Sequence, residues 1–435
     1  MKRLFLAGAL ALCCGTALAQ NAATTTPTPP YPPELPPLAQ ALAAIRQAPM
    51  AQAAAALIGA EAANRDALEA GPHEWGMRLE GQQSNVDGAP ANAPQRYNEW
   101  RAALERPLRL PGKAAIDAQI GAQGVAQASA GFADALHETA RSLLKSWFVW
   151  LREKESARQW SLQCESLARQ QQATARRVQL GDAPRLELMQ SEAASAQAQA
   201  AFEQARLRSA VAAAELGARF PALELPAEVA LSTPQALAGN LVQWREDLRE
   251  HLLEDNHELL LARAESQRAR LLANRADAER TPDPTIGFHV GSERGGEERL
   301  SGLSLSIPLP GAARTANARR ATALAGAAAQ REAATLARIN VEIASGLASA
   351  EASYAAWQRA EEAAQRLEQS AALTARARAL GEAGLGDVLL AQRQANEARL
   401  GANAARLDAL EARYRLDVDT HKLWPYADAD DAKEH

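Results

Sequence analysis

The stretch Leu180-Gly181-Asp182-Ala183-Pro184-Arg185-Leu186-Glu187 decides the fold, because its pattern returns 200 residues later as Leu380-Gly381-Glu382-Ala383-Gly384-Leu385-Gly386-Asp387. In both stretches a Leu-Gly pair ends a long helical run, and an acidic residue lies six positions after the glycine. Each run also begins after a Pro-Gly pair, Pro111-Gly112 in the first and Pro310-Gly311 in the second. A long internal repeat of this kind predicts two copies of one structural unit.

The two helical runs, 113–180 and 312–380, contain no proline. At 1.5 Å per residue each forms a rod about 100 Å long, whereas helices of globular domains average about 11–12 residues. Their apolar residues follow the four-and-three spacing of a coiled coil, and the first run carries a second apolar stripe, which predicts a neighbouring helix on each flank. Shorter helices, 185–219 and 387–423, return from the Leu-Gly turns. The seam residues are Leu136, Ala140, Leu143, Trp147 and Trp150 in the first run and Ile343, Leu347, Ala350, Tyr354 and Trp357 in the second.

Two segments before the long runs, 74–110 and 285–309, change to a period of two. Apolar and polar residues alternate on either side of a polar loop, which predicts a β-hairpin in each segment. Each strand is near ten residues long, the length of a tilted outer-membrane strand with its apolar side chains toward lipid. The same alternation suits two hairpins packed on a soluble core, and the strands alone leave both readings open.

The rest of the chain completes the two repeats. The first covers 38–220 and opens with an Ala-rich helix, 38–70; the second covers 241–425 and opens with a helix over 241–280. A proline-containing segment, 221–240, is predicted to be an irregular equatorial crossover between them. The predicted fold class is mainly α with a small β part, with long α-helical coiled-coil hairpins and four membrane β-strands per chain.

The two ends of the chain carry processing and linker signals. Residues 1–19 combine a basic start, a short apolar run and a small-residue cleavage site, which is typical of an export signal peptide. Cys13 or Cys14 is a candidate lipidated residue, although the residues before them fit a lipoprotein signal poorly. Residues 20–37 are Pro-rich and predict an extended N-terminal linker, and the acidic tail 426–435 is predicted to be solvated.

The composition argues against several function classes. The formal charge of −5 becomes −7 once Lys2 and Arg3 leave with the signal peptide, which argues against a nucleic-acid partner. Cys164 is the only cysteine after the signal peptide, so no internal disulfide is expected. The histidines do not form a metal-ligand pattern; His251 and His257, for example, lie about 240° apart around a helix. No catalytic or cofactor motif occurs, so we expect no enzyme activity, no cofactor and no resident metal.

Acidic residues near the two turns are the only candidate functional side chains. They are Asp182, Glu187, Glu382 and Asp387. Acids in the first turn of a returning helix offset the helix dipole, which is a capping role. Repeated around an assembly, they would instead form charged rings that favour cations and that close an entrance by ion pairs to Arg177 or Arg378. Both roles remain open for Glu187 and Asp387.

This arrangement resembles the TolC-like outer-membrane efflux proteins over nearly all of the mature chain. The resemblance rests on the doubled unit, on Arg177-Val178-Gln179-Leu180-Gly181 and Arg378-Ala379-Leu380-Gly381, and on the acids downstream of them. Ser306-Ile307-Pro308-Leu309-Pro310 adds to it at the joint between strand and helix. The segment from Pro282-Asp283-Pro284 to Pro310 looks most similar to the CzcC-type heavy-metal efflux branch.

The resemblance implies a function, a location and partners. The expected assembly is a homotrimer in the outer membrane of a Gram-negative bacterium, a trimeric α/β-barrel duct with a large periplasmic part. It would act as the passive channel of a tripartite efflux system, with a periplasmic adaptor protein and an inner-membrane pump of the resistance-nodulation-division type. The expected adaptor contact is the periplasmic tip, formed by Arg177, Leu180, Gly181, Arg378, Leu380 and Gly381.

The sequence is also compatible with other functions. The cargo could be heavy-metal cations, which the CzcC-type likeness favours, or drugs, or a polypeptide secreted by a type I system. A protein of a different class, a periplasmic coiled-coil scaffold or adaptor with a small soluble β-part, would also contain long helices and short hairpins.

Overall fold

The computed structural model describes residues 31–86, 95–237, 246 and 256–425. The predicted signal peptide with Cys13 and Cys14, the first part of the linker and the acidic tail lie outside the described residues, as does most of 238–255, where the start of the predicted helix 241–280 and His251 fall. Within the described ranges the chain forms seven α-helices and one four-stranded antiparallel sheet. The predicted fold class is confirmed.

The two halves of the chain repeat the same order of elements. The first half contains α1 Leu38–Gln47, α2 Pro49–Ala70, β1 Gly76–Val86, β2 Gln95–Pro107, α3 Lys113–Gln179 and α4 Arg185–Arg219. The second half contains α5 His257–Ala278, β3 Thr285–Glu293, β4 Glu298–Ser306, α6 Ala312–Ala379 and α7 Leu385–Asp419. The rods α3 and α6 have 67 and 68 residues, and the return helices α4 and α7 have 35 each. Residues 220–237 contain neither helix nor strand.

Glycine ends both rods in the same way. Gly181 and Gly381 adopt left-handed backbone with φ of 82° and 83°. The amide of the next residue, Asp182 or Glu382, then donates to a carbonyl five residues earlier, at 2.8 and 2.9 Å. This bonding satisfies carbonyls that the end of a helix leaves without partners, and only glycine adopts its backbone without steric cost.

The first predicted helix, 38–70, is two helices that meet at Ala48 with a bend of 56°. Pro49 is the first residue of α2, where its missing N–H costs nothing, but its ring holds the preceding residue in extended backbone. Among the described residues, no single helix is long and apolar enough to cross a membrane, and the bent pair α1–α2 passes that test only when taken together, by length and composition.

The four strands form one sheet in the order β1-β2-β3-β4. The pairing of β2 with β3, from Trp100↔Ser292 to Pro107↔Thr285, joins the two halves, and β1 and β4 are the sheet edges. Apolar side chains on these edge strands stay uncovered: Met77 is 73% exposed and Leu303 is 86% exposed. Within the described chain, no soluble core covers this part of the sheet.

The helices form one layer. On the side of the sheet, α2, α3, α5 and α6 are neighbours in that order, as are strands β1 to β4. Rod α3 contacts α2 and α5 on the side of the sheet, and α4 and α7 on the side of the turns, so it has a neighbour on each flank. Rod α6 packs against α5 and α7. The edges of this layer are therefore α2 and α4 on one side and α6 on the other.

The main core surrounds the middle of α3 and includes residues from the N-terminal stretch. Trp147 Nε1 donates to the Glu34 carbonyl at 2.7 Å, and Trp424 Nε1 donates to the Tyr31 hydroxyl at 2.9 Å. Glu34 and Leu35 are buried. Residues 31–37, which composition predicts to be part of a linker, are thus packed into the core, because their few non-proline side chains each find a specific partner.

Candidate functional site

The two Leu-Gly turns lie at the end of the rods that is farthest from the sheet. Leu180 is 76% exposed and Leu380 is 70% exposed, although both side chains are large and apolar. Exposed apolar side chains at a rigid helical tip are characteristic of a contact surface rather than of a solvated loop. The tip is therefore the candidate functional site.

One ion pair at the tip connects the two halves. Arg378, at the end of α6, donates through Nη2 to Glu187 Oε2 in the first turn of α4, at 2.5 Å. The side chains are only 11% and 21% exposed, so the pair is partly shielded from water. We call this pair the tip latch, since it bridges residues 191 positions apart in the sequence.

The second acid of the repeat has a different partner. Asp387 Oδ2 accepts from the Gly384 amide at 3.0 Å, which is the capping interaction of a helix start. The residue equivalent to Gly384 in the first turn is Pro184, which has no N–H to donate. Glu187 therefore cannot make the same bond, and its carboxylate points to Arg378 instead.

The other predicted tip residues make only local contacts. Arg177 Nη2 donates to the carbonyl of Asp182 at 3.3 Å. The carboxylates of Asp182 and Glu382 are exposed, and in the described part of the chain they form no ion pair. Of the two arginines considered from the sequence, Arg378 binds the carboxylate of a predicted gate acid, whereas Arg177 binds the backbone of one.

Ion pairs farther from the turns hold each hairpin together. Arg399 on α7 donates to Glu368 and Glu361 on α6 at 2.6 to 3.0 Å. These bonds, first that to Glu368, raise the pKa of the Arg399 guanidinium above its ordinary value. In the first half, Arg208 on α4 donates to Glu153 on α3 at 2.8 Å. Each rod is thus tied to its return helix by ion pairs.

A second polar site, at the base of the sheet, involves the Pro-Asp-Pro segment. Asp283 accepts from Lys113 Nζ at 2.9 Å, from the Leu110 amide at 3.0 Å and contacts His73 Nε2 at 3.3 Å. Lys113 is buried, so this charge pair is shielded from water. The segment therefore has a structural role here, joining the two halves where strands become helices.

Sequence reasoning missed one cluster. His137, His257 and His421 lie together, with ring centroids 4.8 to 6.2 Å apart. They are more than 100 positions apart in sequence, so no local spacing could have indicated the contact. Among the described residues, no group of three or more His, Cys, Asp or Glu is arranged to hold a metal ion. Cys164 is partly buried.

Comparison with known structures identifies the class of fold. The chain is similar to the CmeC outer membrane channel of Campylobacter jejuni, with a TM-score of 0.73 and 13% identity over 91% of this chain and 88% of that one. It is also similar to the outer membrane protein VceC of Vibrio cholerae, with a TM-score of 0.68 and 18% identity over 89% of this chain and 96% of that one. The MtrE outer membrane channel of Neisseria gonorrhoeae matches with a TM-score of 0.70 and 16% identity over 90% of each chain. No protein-family model matches the sequence, and no curated protein does.

The fold is that of the TolC-like outer-membrane efflux channels. The resemblance inferred from the doubled turns is confirmed at this level, and the CzcC-type branch stays a prediction.

Proposed function

We propose that this protein is the outer-membrane channel of a tripartite efflux system, a passive duct built from three copies of the chain. The observation that carries the proposal is the sheet: its apolar side chains face outward with nothing of the described chain to cover them. On this fold, such a surface suits lipid. It also argues against the alternative of a soluble periplasmic scaffold, which would expose these side chains to water at a cost of about 25 cal/mol per Å².

The edges of the chain support an assembly. Four strands leave the outer backbone groups of β1 and β4 unpaired, and lipid offers such groups no partner. The helical layer also has unlike edges, and both expose apolar residues: Leu207 and Val211 on α4, Leu324 and Val341 on α6. Unlike edges generate a closed ring when the rotation between copies closes. Three copies would give twelve strands and one shared tunnel.

The tip latch supports a gating role for Glu187 together with Arg378. In a trimer the latch occurs three times around the entrance, and each copy ties the return helix of the first half to the rod of the second. Asp387 is engaged in capping, so we assign it a structural role. The gate, on this proposal, opens when the two hairpins separate at the latch.

The exposed Leu180 and Leu380 support the tip as the contact for a periplasmic adaptor, through which an inner-membrane pump of the resistance-nodulation-division type would deliver cargo. Heavy-metal cations remain the cargo favoured by sequence resemblance, with drugs or a secreted polypeptide as alternatives. A deletion strain grown with zinc, cobalt, cadmium, copper or silver tests the metal proposal. Unchanged tolerance to all five metals, with increased sensitivity to drugs, would exclude it.

The channel itself is tested with the purified full-length protein. We expect a trimer in detergent and ion conductance in planar lipid bilayers. A monomer in detergent, or membranes without conductance at any protein concentration, would contradict the proposed duct and would favour the scaffold.

A further inference from the structure

Three histidines converge on one point at the middle of the helical layer. His137 lies on α3, His257 is the first residue of α5, and His421 follows the end of α7. The ring centroids are 4.8 Å apart for His257 and His421, 5.5 Å for His137 and His421, and 6.2 Å for His137 and His257. We call these three residues the histidine joint.

The joint lies where the start of α5 approaches the segment that follows α7. Helix α7 ends at Asp419, α5 begins at His257, and both pack beside α3. Buried Leu259 of α5 and Leu416 of α7 belong to one small apolar cluster with residues of α6. The joint therefore connects the part of the second half that carries the sheet with the part that ends at the tip.

Charged groups lie on every element that packs at the joint. They are Asp134, Glu138 and Arg141 on α3, Glu258 on α5, Arg338 and Glu342 on α6, and Arg415, Asp417 and Asp419 on α7, with Lys422 just beyond it. The acid nearest to the joint is already engaged: Asp419 Oδ1 accepts from Arg141 Nε at 2.7 Å and is 3.7 Å from His137 Nε2. Arg141 also contacts Glu342.

This environment disfavours an imidazolium. His137 is 6% exposed. Burial, followed by the positive charge of Arg141 and the two neighbouring histidines, lowers the pKa of His137 to about 2. An imidazole that opens to water regains an ordinary pKa near 6.5. Acid therefore favours an opened joint over a closed one.

We infer that the histidine joint is a pH-sensitive hinge, which holds the ends of α5 and α7 against α3 when its imidazoles are neutral and opens when they take up protons. The size of the effect follows from linkage. If opening lets one histidine bind a proton with a pKa of about 6.5, the ratio of opened to closed joint rises about tenfold between pH 7.5 and pH 5.5. Each further histidine that titrates in the same way multiplies this ratio again.

Nearby carboxyl groups act in the opposite direction. Burial raises the pKa values of Asp134, Asp417 and Asp419, so the closed joint holds their protons more tightly than an opened joint does. Acid alone would then stabilise the closed state through these groups. Without its histidines, the joint should keep or slightly gain protection as the pH falls.

Hydrogen–deuterium exchange of the full-length protein in detergent tests the hinge. Peptides that cover the start of α5 and the end of α7 are followed at pH 7.5 and 5.5, and the rates are corrected for the intrinsic effect of pH. In the wild type we expect about a tenfold loss of protection at the joint, with the middle of α4 as an internal reference. His289→Gln, which removes a histidine of β3, is the matched control and should behave as the wild type.

The combined variant His137→Gln, His257→Gln and His421→Gln should show no loss of protection at pH 5.5. Equal protection of the wild-type joint at both pH values would overturn the inference, even if the variant fails to fold. Retained acid sensitivity in a folded variant would overturn it as well. The exchange measurement needs no conductance, so failure of the hinge and failure of the proposed duct are distinguishable.

Discussion

The two tips of this protein have the same turn and different chemistry. Both rods end at a left-handed glycine with the same backbone hydrogen bonds, and both return helices have an acid near their start. Yet Asp387 caps its own helix and Glu187 binds the other half of the chain. The difference comes from two positions: Pro184 removes the amide that Gly384 provides, and Val178 occupies the place that corresponds to Arg378.

This comparison shows how a repeated unit acquires an asymmetric function. The turn is set by backbone geometry, so both copies must keep it. The side chains around the turn are free to differ, and two differences accompany the change from a cap to a latch. The asymmetry also limits the latch to one per chain, so a trimer would have three and not six.

Reversing one charge of the latch should give the largest effect. Arg378→Glu places a carboxylate against Glu187, so the attraction becomes repulsion and the tips separate. We expect several-fold higher conductance in planar bilayers. The double variant Arg378→Glu with Glu187→Arg restores an opposite pair and should return conductance toward the wild-type value. If the double variant conducts as strongly as the single one, the latch does not close the entrance.

Replacing the turn glycines should affect both tips equally. Gly181→Val and Gly381→Val each force a β-branched residue into left-handed backbone, which costs about 1–2 kcal/mol. The free energy of unfolding, measured with denaturant, should fall by similar amounts in the two variants. Unequal losses would show that the turns are less alike than their φ angles.

Acid should destabilise the folded chain through His137, which lies on α3. Its pKa is lowered to about 2 in the folded protein, so stability is complete above pH 6.5 and is lost as the pH falls toward 2. One depressed histidine loses about 1.4 kcal/mol per pH unit well below 6.5. The difference in free energy of unfolding between the wild type and His137→Gln, followed from pH 7.5 to 5, measures this contribution; a constant difference would contradict it.

Removing the cap should have a smaller and local effect. Asp387→Ala leaves the Gly384 amide without its side-chain acceptor, which costs about 1 kcal/mol. Hydrogen exchange at the start of α7 should rise, while conductance stays at the wild-type value. Glu187→Gln is the matched comparison, because it should change conductance with little effect on hydrogen exchange at the start of α4. Increased conductance in Asp387→Ala would show that Asp387 also takes part in closing the entrance.

Building a second latch should give the smallest effect. Val178→Arg with Gly384→Pro gives the second acid the surroundings of the first, so Asp387 loses its cap and faces a new arginine. Partly exposed ion pairs contribute about 0–1 kcal/mol, so we expect at most a slight decrease in conductance. A large decrease in conductance would indicate that the two tips already lie close enough for the second ion pair, between position 178 and Asp387, to help close the entrance.

Much of the fold is readable from local patterns. Pro-Gly and Leu-Gly pairs mark the ends of the rods, and the change of period from 3.6 to 2 marks the strands, because backbone propensity and one-sided burial act over neighbouring residues. The same patterns say little about residues 31–37, where seven positions with four prolines form part of the core. Their packing depends on Trp147 and Trp424, which are distant in sequence.

The candidate site divides in the same way. The turns, the acids and the two arginines at the tip are visible in the sequence, because they lie in or beside the two repeated Leu-Gly segments. Which arginine meets which acid is not visible, because the answer depends on how the ends of α4 and α6 approach each other at the tip. The histidine joint has no sequence signal at all.

The sequence alone determined the two repeats, the lengths of the rods, the turns that end them and the alternation of the strands. Each of these follows from the preferences of residues a few positions apart. Only the tertiary structure decided the one-sided tip latch, the packed N-terminal stretch and the histidine joint. These need contacts between residues that are more than 100 positions apart, and their formation depends on how the whole helical layer packs.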